Sequence, residues 1–109
     1  KAARGNAGQL KDLERRQKMR LTRAQRDTLD RALVDLAAFY RDVLVLRLNS
    51  DVSPVHPDAA DAAAAAASRW SAESVVRRID SILKCRRAID LNVRPRIAVE
   101  TMMVELWRG

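Results

Sequence analysis

Apolar residues recur at steps of three and four along most of this chain, and the places where that rhythm stops divide it into segments. Leu29, Leu33, Leu36, Tyr40, Val43, Leu44 and Leu48 keep the step without interruption, with Asp27, Asp30, Arg31, Asp35, Arg41 and Asp42 on the wet faces. At 22–25 the sequence T-R-A-Q reads as a capping box: the Thr22 hydroxyl accepts from the Gln25 N–H while Gln25 reaches back. A helix is therefore predicted from Thr22 to Asn49, about 40 Å long at 1.5 Å per residue. Upstream, Leu10, Leu13, Gln17 and Leu21 form a narrow stripe on the charged segment 9–21, predicting a short helix of its own. Residues 1–8, KAARGNAG, carry two glycines and no apolar period, and read as a flexible linker.

Downstream of Asn49, Ser50 and Asp51, the stretch S-P-V-H-P holds Pro54 and Pro57 and predicts an extended connector. The run A-A-D-A-A-A-A-A-A-S after Asp58 has high helix propensity and almost no bulk, so its helix must lie close against a neighbour. Trp70 supplies one large anchor. Ser71, with Glu73 behind it, is a plausible N-cap for a helix running to about Leu91, burying Val75, Ile79, Ile82, Leu83 and Ile89, with Arg77, Arg78, Lys84, Arg86 and Arg87 on its polar side. Asn92 breaks that helix, and Pro95 opens a last one over 95–108. This last helix is apolar almost all the way round, which predicts neighbours on more than one side.

Composition agrees with an all-α fold: 32% charged, 4% aromatic, three Gly and three Pro in 109 residues. A single four- to five-helix bundle over 9–109 is the predicted architecture. The net charge of +7 is uneven, because residues 1–31 hold ten Lys/Arg against four Asp/Glu while 32–109 hold eleven against ten. Partner chemistry on the bundle is thus not set by bulk charge. The basic run 11–31 offers one competing function, a helical module that follows a nucleic-acid backbone. Asp12 and Glu14 interrupt that run and it has no aromatic for stacking, so a solvated face is preferred and direct DNA contact is not expected.

Cys85 is alone, which leaves no internal disulfide or Cys-based zinc site and fits a reducing, cytoplasmic setting. No run reaches the ~18 apolar residues of a membrane span, and the start K-A-A-R is neither a signal peptide nor an initiating Met, as expected of a piece of a longer protein. The glycines fall at positions 5, 8 and 109, so no phosphate-binding loop precedes a Lys-Ser/Thr pair. Cys85 with His56 could in principle make a thiol nucleophile, but a lone helical cysteine more often packs in a core. Glu100, set among V-E-T-M-M-V, is expected to be a buried carboxylate paired with Arg86 or Arg87 of the preceding helix. No catalytic, cofactor or metal site is predicted.

"LDRALVDLAAFYRDVLVLRLN" (29–49) and "RRIDSILKCRRAIDLNVRPRIAVETMMVELW" (77–107) resemble the C-terminal domain of the delta-prime subunit of the bacterial DNA polymerase III clamp loader, in its actinobacterial form. The resemblance covers about residues 9–108 and departs at Arg94, where the family often has Asn. It implies a non-catalytic collar domain that packs in a ring with the C-terminal domains of the delta and tau/gamma subunits, holding together the complex that loads the sliding clamp during DNA replication. The family's zinc-binding cysteines and degenerate nucleotide site belong to a preceding module. Expected contact residues are Tyr40, Val43, Leu44 and Leu46 on the long helix and Met103 and Trp107 on the last, aromatics and Met being favoured at interfaces.

Overall fold

A computed structural model describes the backbone of residues 2–109 and side chains from Asn6 onward. Among the described residues the architecture is an all-α helical bundle without strands: α1 over Ala2–Arg47, a 3-10 turn over Pro57–Ala59, α2 over Ala60–Arg69, α3 over Ala72–Asp90 and α4 over Pro95–Arg108. The chain divides into two compact units between Asp30 and Arg31, inside α1.

In the first unit the linker expected over 1–8 is helical from Ala2, and residue 1 lies outside the described residues. Each glycine in a helix interior costs roughly 1 kcal/mol, but alanines and the absence of proline let the downstream helix propagate through the pair. The start expected at Thr22 is also absent. Thr22 Oγ1 donates to the Lys18 carbonyl at 2.9 Å, and Thr28 Oγ1 does the same to Ala24. A capping box acts only where the chain ahead of it is not helical, and here 9–21 is made of strong helix formers. All side chains from Asn6 to Thr28 are exposed.

In the second unit, Arg31–Gly109, the core is built from Leu33, Tyr40 and Val43 of α1, Ala63, Ala66 and Ala67 of α2, Val75, Ile82, Cys85 and Ile89 of α3, and Ala98, Met102 and Leu106 of α4. The alanine helix buries a face of methyl groups, as its lack of bulk requires. Leu83, expected inside, is outside, and Arg78, expected outside, is buried.

Both long helices of this unit end on an asparagine. Asn49 (φ 54°) follows α1, with its N–H on the Leu46 carbonyl and that of Ser50 on Val45; Asn92 (φ 67°) follows α3, with its N–H on Ile89 and that of Val93 on Ala88. This is the Schellman arrangement, in which one left-handed residue lets the next N–H groups satisfy the last carbonyls. Asn tolerates that conformation better than most residues, which is why both stops were readable. At the other end of α3, Ser71 accepts the Ser74 N–H at 3.1 Å, as the N-cap reading predicts.

Asp42 departs from the wet-face expectation. Its side chain is 3% exposed, and its two carboxylate oxygens accept the N–H groups of Val55 and His56, each at 2.8 Å. The connector between α1 and the 3-10 turn is pinned there. Burial raises the Asp42 pKa; the two backbone hydrogen bonds and the Arg41 charge, 3.3 Å away, outweigh it, and the net shift is downward.

Candidate functional site

α4 packs against α3 and carries exposed apolar residues as well as buried ones. At about 100° per residue its buried positions Ala98, Met102 and Leu106 make one narrow stripe, while Ile97, on the flank that borders α3, and Met103, Val104 and Trp107, on the opposite side, face outward. Those four are 53%, 56%, 51% and 90% exposed. The apolar character all round the helix is therefore split, one side against α3 and one side to solvent. The Arg96–Glu100 pair, at 3.0 Å, lies in the middle of the outer stripe.

α3 and the Trp70 junction hold this helix in place. The Arg78 guanidinium stacks 3.8 Å from the Trp70 ring centroid, donates to the Leu106 carbonyl at 2.7 Å and reaches Ser74 Oγ at 3.4 Å. It thereby satisfies one of the last carbonyls of α4 and sets a cation at the negative end of that helix. Arg77 donates to the Gly109 carbonyl at 3.1 Å. Lys84 Nζ sits 3.1 Å from Glu105, and the Ser81 hydroxyl and Lys84 together draw the Glu105 carboxyl below its ordinary range. The start of α4 has no side-chain cap; Arg94 occupies that position and Pro95 is the first helical residue. With the first turn uncapped and the last turn tied down, fixation of α4 is strongest around Trp107.

The expected contact residues divide. Tyr40 and Val43 are core residues and are corrected as interface candidates: Val43 is wholly enclosed, and Tyr40 packs against Trp70 with ring centroids 5.8 Å apart. Helical spacing puts them on an apolar stripe, but spacing does not say which side of a wide stripe meets the chain's own helices. Leu44 is half-buried, and Leu46 is exposed. Met103 and Trp107 lie together on the outer side of α4. Val104 belongs to that patch and Ile97, also exposed, lies at its edge beside α3; both were missed, and the spacing 97, 104, 107 was the signal.

The premise about Glu100 also fails. Its side chain is 64% exposed and pairs with Arg96 one turn back on α4. The outer side of the helix is open, so its aliphatic neighbours do not bury it.

Cys85 is buried, and burial pushes its thiol up. It lines a groove of about 100 Å³ between α3 and α4 with Ala88, Val93, Ile97, Ala98 and Met102. Among the described residues no three His, Cys, Asp or Glu side chains stand close enough to hold a metal ion, and no helix is long and apolar enough to cross a membrane. Comparison of the chain with protein-family models, with curated proteins and with solved structures gives no match.

Proposed function

We propose that the second unit is a non-catalytic association module that docks through the outer side of α4. The observation that carries this reading is Trp107, the largest apolar side chain available, 90% exposed on a helix whose last turn is fixed from beneath by Arg78. Trp is enriched among the anchor residues of protein interfaces, and a helix end already held in place has less backbone freedom to lose on binding. Met103 and Val104, four and three positions back on the helix, flank it with adaptable apolar area. The partner is a helical surface with a pocket for the indole. On the family likeness of 29–49 and 77–107, that partner is the C-terminal domain of a clamp-loader delta or tau/gamma subunit, in the cytoplasm, and the module is a delta-prime collar domain.

Co-expression with the delta and tau/gamma subunits of the same organism tests it. The chain is expected to co-purify with them, and Trp107→Asp is expected to abolish this while the circular dichroism spectrum is unchanged. Recovery of the Trp107→Asp chain in the complex at wild-type yield overturns the docking surface. Failure of the wild-type chain to co-purify overturns the collar assignment.

A further inference from the structure

The continuity of α1 changes what the basic run 11–26 can do. With a helix start at Thr22 its basic residues would fall on two elements; in one helix, Lys11, Arg15, Lys18 and Arg26 fall within an arc of about 80°. Thr22 lies inside that arc, its hydroxyl turned back onto the Lys18 carbonyl. The four bases form one ridge about 22 Å long. Asp12, Glu14 and Asp27 lie outside the arc, so the acids that interrupt the run in sequence do not interrupt the ridge.

All four bases are exposed, and none takes part in an ion pair among the described residues, although Asp12 and Glu14 stand three or four positions away from Arg15 and Lys18. Alternating signs paired at i,i+4 along a face mark a solvated helix laced by its own salt bridges. This one keeps a single sign. Arg15, Lys18, Met19, Thr22, Arg23 and Arg26 outline an open furrow of about 440 Å³ along it.

We infer that this ridge binds the phosphate backbone of duplex nucleic acid without regard to sequence. Charge complementarity selects the occupant: a row of unpaired cations at helical spacing matches a row of phosphates, which a duplex presents once per about 1.7 Å of axis. No aromatic lies between Asn6 and Asp30, so the base stacking that single-strand binders rely on is missing. A helix that lies in a lipid surface buries a wide apolar face opposite its bases. Here the side opposite the ridge offers only Leu10, Leu13 and Leu21 among polar and charged residues, too narrow a stripe to hold the helix there.

The test is a fluorescence-anisotropy titration of the whole 109-residue chain with a labelled duplex at several salt concentrations. Four phosphate contacts predict a log–log salt slope of about −3.6, close to a hundredfold loss between about 50 and 200 mM salt. The double variant Lys18→Glu/Arg26→Glu is expected to lose at least ten times more affinity than Arg16→Glu/Arg20→Glu, which makes the same charge change off the ridge. Equal losses from the two variants, or no binding at the lower salt, overturn the inference. Tighter binding to vesicles containing phosphatidylserine than to the duplex overturns the choice of ligand. None of these readouts involves Trp107, so the association reading stands or falls separately.

Discussion

Replacing Asp42 by Ala removes one buried carboxylate that closes two hydrogen bonds at once. In the native fold the Val55 and His56 N–H groups each reach it at 2.8 Å, and Arg41 adds a 3.3 Å contact. Hydrogen bonds to a charged group contribute ~1.5–3 kcal/mol each. Val55 is half exposed, so its N–H regains water when the carboxylate goes, and the loss falls short of two full bonds. A cost of about 2–3 kcal/mol results, which for a unit of this size lowers Tm by on the order of 10–20 °C. The Asn variant retains one acceptor and is expected to fall between the two. The pH dependence has a definite sign: the folded pKa of Asp42 is below the ordinary 3.8, so its contribution is complete above that value and disappears as pH falls through the lower one. Thermal melts followed by circular dichroism from pH 7 down to 2 measure both effects. A D42A chain that melts with the wild type at pH 7 would refute the pinning of the connector.

Three further outcomes follow from the same packing. Arg78→Lys keeps the charge but loses the planar stack on Trp70 and the fixed fork that reaches Leu106, and is expected to cost about 1–2 kcal/mol by urea melt; an unchanged midpoint would show that the stack contributes nothing. Asn92→Gly removes the strain of a side chain at φ 67° and is expected to raise stability by a few tenths up to about 1 kcal/mol, whereas Asn92→Val is expected to lower it. Cys85 is expected to react with a disulfide reagent at neutral pH only as fast as the unit opens, since burial both shields the thiol and raises its pKa; immediate stoichiometric labelling of native protein would contradict its place in the core.

Signals that act through the backbone of a few neighbouring residues were legible. Asn49, Ser71, Asn92 and Pro95 mark helix ends because a left-handed conformer, a hydroxyl cap or a missing N–H decides the matter locally. Thr22–Gln25 carried a similar signal and misled, since the helix arriving from upstream left no N–H groups to cap. Periodicity separated apolar from polar positions but not one apolar side from the other. Tyr40 and Val43 went inside and Ile97 and Val104 outside, according to which neighbours the connector and Trp70 bring up. Asp42 and Arg78 lay beyond sequence reasoning altogether, because their partners are main-chain atoms of distant residues, Val55, His56 and Leu106.

Anchoring of a partner by Trp107, exposed on a helix end that is tied down, is tested most directly by calorimetric titration of the chain with the clamp-loader delta and tau/gamma subunits, wild type beside Trp107→Asp. Removing an interface anchor costs ~2 kcal/mol or more, a loss of about 30-fold or greater in affinity, while an outward-facing substitution leaves Tm within a few degrees. Saturable binding by the wild type that weakens by that factor in the variant, with coincident melting curves, is the predicted result. Equal affinities for the two chains would contradict it.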